Sequence, residues 1–315
     1  MAGTLRFARP TALRYSNRMT HVATLISNPA RPALDDAHVA VAVGVLATAQ
    51  APRVLDAGIA VDIPFTPGGA DDKAVAERLR AALKDVAVDV VAQPLAARRK
   101  RLFVADMDST MIGQECIDEL ADLVGLKAHV AAITERAMRG EIAFEPALRE
   151  RVALLKGLPA SVVGDVIAKR ITLTPGGREL VNTMRAHGAY TCLVSGGFTL
   201  FTGPLSRTIG FDEDRGNTLM VEDGKLSGRV AEPILGREAK LATLIELRAR
   251  FGLSAQDTLA IGDGANDLAM IEAAGLGVAY HAKPKVAAAA HARIDHGDLT
   301  ALLYCQGYAR ADFAA

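Results

Sequence analysis

The chain has 315 residues, half of them hydrophobic, and its 36 basic and 36 acidic side chains cancel. At roughly 150 residues per domain that length suggests two or three domains, with ample material for a core. The balanced charge, the absence of tryptophan and the scarcity of aromatics argue against nucleic acid or an anionic membrane surface as a partner. No apolar run reaches the roughly 20 residues that span a bilayer.

Residues 1–19 hold four arginines and no acid, without the apolar stretch of a secretory signal. They read as a disordered extension, with Met19 opening the fold. Residues 20–95 then read as strand (22–27), helix (35–50), one or two strands (54–65), helix (71–83) and strand (86–95). That order is the split βαβ pattern of a ferredoxin-like α+β domain. It holds no close acid pair, His/Cys cluster or phosphate loop, so a regulatory or dimerising role is expected, through which the chain would form a homodimer. Ala96-Ala97-Arg98-Arg99-Lys100-Arg101 follows as a basic linker, read as a solvated hinge.

The apolar run from Phe103 to Ala105 ends in Asp106-Met107-Asp108-Ser109-Thr110. Side chains of an extended segment alternate, so Asp106 and Asp108 point the same way. Two adjacent acids repel unless a cation or a shared proton relieves them. After Thr110 the period turns helical, with helices predicted at about 112–125, 127–139, 144–155 and 160–169, and another from 175 to 188. The βα alternation then resumes. A strand at 189–195 ends in Ser195-Gly196-Gly197, and Asp223-Gly224 marks a hairpin. A helix spans 236–251, and a strand at 257–261 ends in Gly262-Asp263-Gly264-Ala265-Asn266-Asp267. Cys116, Cys192 and Cys305 form no CxxC pair, which argues against a zinc knuckle or a disulfide framework. Buried thiols in a reducing cytoplasm are expected.

Strands alternating with helices predict an α/β fold, a Rossmann-like parallel sheet covered on both faces. Sites in such sheets lie beyond the carboxyl ends of the strands. There Asp106/Asp108, Ser195, Asp263 and Lys240, early in the helix before the last of these strands, would converge. Phosphoryl transfer suits that set. A carboxylate can be the nucleophile, Mg²⁺ takes oxygen ligands, and a lysine and a hydroxyl can hold phosphate oxygens.

These four motifs, in order over about residues 100–300, resemble the haloacid dehalogenase superfamily. The resemblance implies a haloacid dehalogenase-like core with a small α-helical cap, about 111–173, inserted after the first strand of a domain at 96–315. Within the superfamily the sequence is similar to the phosphoserine phosphatases. That similarity implies Asp106 as nucleophile, Asp108 as general acid/base, and one Mg²⁺ near Asp106, Asp108 and Asp263 with Asp267 behind them. It implies Glu115 for the substrate amino group, Arg151 for its carboxylate, and Phe144 and Met138 packing over it. Ser195, Gly196, Lys240 and Asn266 would contact the substrate or its phosphate. Residues 20–95 resemble the ACT domain in element order. The competing readings are a phosphotransferase of the same fold passing phosphate to a second alcohol such as homoserine, and a non-catalytic amino-acid or phosphate sensor.

Overall fold

The structure, a computed structural model, describes residues 19–138 and 141–314, with the side chain of Met138 also left out. The expectations for residues 1–18 lie outside the described residues.

The N-terminal unit comprises β1 (His21–Ser27), α1 (Asp36–Val45), β2 (Arg53–Asp56), β3 (Ala60–Phe65), α2 (Asp72–Ala82) and β4 (Val88–Pro94). Asp35 and Asp71 start its two helices by accepting the backbone N–H of His38 (2.9 Å) and Ala74 (2.7 Å). The sheet is antiparallel in the order β2-β3-β1-β4, which is the ferredoxin-like arrangement expected.

The second unit contains β5 (Leu102–Ala105), α3 (Cys116–Leu123), α4 (Lys127–Met138), α5 (Phe144–Ala153), α6 (Val162–Lys169) and α7 (Gly177–Ala186). It continues with β6 (Tyr190–Phe198), α8 (Thr199–Ile209), β7 (Glu213–Asn217), β8 (Leu219–Glu222), β9 (Lys225–Val230) and α9 (Arg237–Arg250). It closes with β10 (Thr258–Gly262), α10 (Leu268–Ala273), β11 (Leu276–Tyr280), α11 (Pro284–Ala289), β12 (Ala292–Ile294) and α12 (Ala301–Cys305). Six parallel strands lie in the order β12-β11-β10-β5-β6-β7. All four residues of β5 are fully buried at its centre, as a parallel strand covered on both faces requires. The three strands that carry the polar clusters are therefore neighbours.

Two departures from the sequence reading follow from long-range pairing. The first concerns the helices that follow β5. They are joined by the β8–β9 hairpin, which arrives some 60 residues later in the chain. The Gly157 N–H donates to Leu226 O (2.8 Å), the Leu226 N–H to Leu158 O (2.8 Å) and the Ala160 N–H to Gly224 O (2.9 Å). The cap is thus assembled from two separate stretches of chain. Strand β7, by contrast, is mostly half-exposed and polar, so it carries no hydrophobic signal to read.

The second departure corrects the hinge. Arg98 is 3% exposed and Lys100 5%. The Arg98 guanidinium donates to both carboxylate oxygens of Asp62 (2.7 Å each), to Thr24 Oγ1 (2.7 Å), and to the carbonyls of Cys305 (2.7 Å) and Tyr304 (3.0 Å). Lys100 Nζ donates to the carbonyls of Ala97 and Gln256, both at 2.8 Å. Arg99 stacks over the Tyr308 ring, 4.1 Å from its centre. The charges look solvated in sequence because their partners lie far away along the chain. In space they rivet one face of the N-terminal sheet onto the C-terminal segment. Asp89, 2% exposed, adds to this by accepting the N–H groups of Asp295 (2.7 Å) and Gly297 (2.7 Å). All three cysteines are buried and free, and no helix among the described residues is long and apolar enough to cross a membrane.

Candidate active site

The chain leaves β5 at Asp106 and turns sharply. Ser109 adopts a left-handed φ of 55°, which lets residues 107–111 coil back beneath the first cap helix. The two acids, adjacent in sequence, thereby acquire different surroundings. Asp106, 4% exposed, accepts from Lys240 Nζ at 2.5 Å, and the same ammonium reaches Asp267 Oδ1 at 2.6 Å. Asp108 accepts the Cys116 N–H at 2.9 Å and the Ser195 hydroxyl at 3.1 Å. Lys240 arrives on the first turn of α9, Ser195 on β6, and Asp263 in the loop beyond β10.

The electrostatics follow from burial. Desolvation, with the neighbouring Asp267 carboxylate, pushes Asp106 well above the usual range, and the Lys240 ammonium pulls against both. Burial alone would lower Lys240, yet Asp106 and Asp267 raise it, so it stays protonated. Burial also raises Asp108, against the N–H of Cys116 and the Ser195 hydroxyl. A carboxyl that is slow to lose its proton suits an acid that must donate one.

Carboxylate oxygens of Asp106, Asp263 and Asp267 lie within 4.8 Å of one another. Lys240 bonds two of these acids and the Lys283 charge acts on Asp263; three carboxylates against two ammoniums leave a surplus acid and a hard oxygen donor set. Both features fit a small divalent cation such as Mg²⁺. Asp267 is held from behind by the Gly264 N–H (3.0 Å), and the Thr110 hydroxyl lies 3.4 Å from Asp263.

Above these groups the cap encloses a cavity of about 520 Å³. Glu115, Phe144 and Arg151 line it from the cap, and Asp106, Asp108, Ser195, Gly196, Asp263 and Asn266 from the core. The expected residues outside the described set reduce to one, the side chain of Met138. Phe144 leans over the turn at Gly196 so closely that a methyl on Gly196 would meet its ring at 3.4 Å. Glu115 faces the cavity, accepts the Ser109 hydroxyl at 2.7 Å, and is pushed up to about 7 by burial and by nearby Asp108. Arg151 on α5 lines the same cavity, tied to the Ala147 carbonyl and the Thr134 hydroxyl, both at 3.2 Å.

Sequence reasoning missed several members. Asp118 lines the same cavity, and its position one turn after Glu115 could have been read from the spacing. Thr134 also lines it. Asn217 donates to the carbonyls of Gly196 (2.8 Å) and Leu235 (3.1 Å), fixing the turn at Gly196. It ends a polar edge strand, and no local signal marks it.

The family profile described as haloacid dehalogenase-like hydrolase matches residues 103–272. A phosphoserine phosphatase of Archaeoglobus fulgidus is 43% identical over 246 residues, 78% of this chain and 71% of the relative. A phosphoserine phosphatase of Mycobacterium tuberculosis is 41% identical over 82% of this chain, which spans 63% of that longer protein. Among solved structures, a probable phosphoserine phosphatase from Vibrio cholerae in its unliganded form superposes with a TM-score of 0.75. It is 32% identical, over 96% of this chain and 90% of that one. The chain belongs to the haloacid dehalogenase-like hydrolases.

Proposed function

We propose that this hydrolase converts O-phospho-L-serine and water to L-serine and phosphate, through a phosphorylated Asp106. The observation that carries the reading is the cavity itself. The cavity has a polar wall of Asp106, Ser195 and Gly196, with the Lys240 ammonium bonded to Asp106 from behind, and is also lined by a carboxylate, Glu115, and a guanidinium, Arg151. An ester with an ammonium and a carboxylate beside its phosphate matches that set of charges. The names of the relatives point to the same substrate.

Asp106, fixed by Lys240, attacks phosphorus while the bond from phosphorus to the serine oxygen breaks. Asp108 delivers its proton to that oxygen. Asp108 then takes a proton from water as the water oxygen attacks phosphorus, and the bond to Asp106 breaks. Lys240 and the Ser195 hydroxyl neutralise the charge that spreads over the phosphoryl oxygens. Asp106, Asp263 and Asp267, with a backbone carbonyl near Asp108, would hold Mg²⁺, which would supply further neutralisation of the phosphate. Phe144 and the cap exclude bulk water from these groups. The three buried thiols suit the reducing cytoplasm as the setting, and the N-terminal unit would serve regulation or pairing of two chains.

Phosphate release from a panel of phosphorylated amino acids, sugars and p-nitrophenyl phosphate, with Mg²⁺ and with EDTA, tests the reading. O-phospho-L-serine should lead the panel, and EDTA should abolish release until Mg²⁺ is restored. Asp106→Asn should fold normally and lose at least three orders of magnitude in kcat, as removal of a covalent nucleophile does. Near wild-type turnover in that variant would rule out Asp106 as the nucleophile. Transfer to an added alcohol in place of phosphate release would mark a phosphotransferase.

A further inference from the structure

We infer that Thr134 is a positioning residue for substrate recognition, setting the direction from which the Arg151 guanidinium meets the substrate carboxylate. The inference deepens the phosphoserine reading and rests on it for the identity of the carboxylate.

An arginine presents five N–H groups in a rigid fork. In Arg151 the Nε–H donates to the Ala147 carbonyl, one turn back on its own helix, and one Nη1–H donates to Thr134 Oγ1 on the neighbouring helix α4, both at 3.2 Å. Two contacts at different corners of a planar group fix its rotation. The other Nη1–H and both Nη2–H groups have no side-chain acceptor within hydrogen-bond distance among the described residues. Arg151 lines the cavity, so that free end is the one a ligand carboxylate can grip with two parallel bonds.

Thr134 is suited to the task because its own proton is committed. Its hydroxyl donates to the Val130 carbonyl at 3.0 Å. That bond turns the oxygen lone pairs toward Arg151, making the hydroxyl a pure acceptor there. Asp118 and Glu115, which line the same cavity, attract the guanidinium. With no bracket at Nη1, the long side chain could swing toward those acids and so present the wrong face to the substrate, or none. Thr134 thus opposes an internal pairing that would compete with the ligand.

Thr134→Val keeps the shape of the side chain and removes the acceptor. It should raise KM for O-phospho-L-serine roughly tenfold, the scale of one hydrogen bond to a charged group. The kcat should stay within about twofold, and p-nitrophenyl phosphate, which has no carboxylate, should be hydrolysed as before. Thr134→Ser keeps the acceptor and should restore KM. In the Arg151→Met background, Thr134→Val should add nothing. An unchanged KM, an equal loss on both substrates, or no recovery in Thr134→Ser overturns the proposal. A crystal structure of Thr134→Val gives a second measurement that does not depend on the substrate: a guanidinium still in its present place also overturns it. If wild-type protein cleaved p-nitrophenyl phosphate but not O-phospho-L-serine, the substrate reading would fail, while the crystal structure would still decide the role of Thr134.

Discussion

Two arginines, one buried and one half-buried, occupy opposite ends of this chain's logic. Arg98 lies between the N-terminal sheet and the C-terminal segment. All three of its nitrogens are spent, on Asp62, Thr24 and two carbonyls. Arg151 lies between two cap helices with two contacts and one end facing a cavity. A buried guanidinium costs several kcal/mol to desolvate unless it is paired and hydrogen-bonded. Full satisfaction at Arg98 makes it part of the scaffold. Incomplete satisfaction at Arg151 leaves a binding capacity for something that is not part of the chain.

Three experiments would break or sharpen that contrast. The largest effect on stability belongs to Arg98. Arg98→Met strands the Asp62 carboxylate, which is fully buried, and should cost about 3–5 kcal/mol of unfolding free energy in urea titrations. Arg98→Met with Asp62→Leu should recover most of the loss, because no charge is then left unpaired. A loss under about 1 kcal/mol in the single variant would show that water reaches this interface. Arg151→Met should do the reverse. Its stability should stay within about 0.5 kcal/mol of wild type, while kcat/KM for O-phospho-L-serine should fall roughly a hundredfold, the scale of a lost charged contact. Equal losses on O-phospho-L-serine and p-nitrophenyl phosphate would show that Arg151 reads nothing particular to the amino acid.

The smallest effect concerns the other wall of the cavity. Burial, then nearby Asp108, pushes the Glu115 carboxyl up to about 7. A carboxyl raised in this way is neutral below that pH and charged above it. Attraction for a substrate ammonium should therefore appear as pH rises, and KM for O-phospho-L-serine should fall severalfold from pH 6 to 8. The phosphate group also titrates near pH 6, so Glu115→Gln is the control. If that variant showed the same slope, the titration would belong to the substrate.

Much of the core could be read from the chain because its signals are local. The apolar run into Asp106 is contiguous, and the alternation of strands and helices dictates which strand ends become neighbours. Glu115, Phe144 and Arg151 came from the family resemblance, and the helical spacing added only that Phe144 and Arg151, seven apart, share a face. What stayed hidden depends on contacts between distant segments. The partners of Arg98 lie at positions 24, 62, 304 and 305, so the sequence shows only a basic run. Strand β7 carries polar residues at a sheet edge, and its Asn217 owes its role to carbonyls at 196 and 235. Thr134 is one hydroxyl on a helix, and only the guanidinium beside it gives it significance.

The two-piece cap has a mechanical consequence. It joins the core at two crossings rather than one. Ile112 bridges Leu173 at the first, and the Ala231 N–H donates to Thr218 O (2.9 Å) at the second. Two such seams define a line about which rocking would strain the fewest of these contacts. The turn at Asp223-Gly224 lies on the cap, and its glycine has open space around it. A fluorophore placed there would test for such rocking without touching the groups inside the cavity.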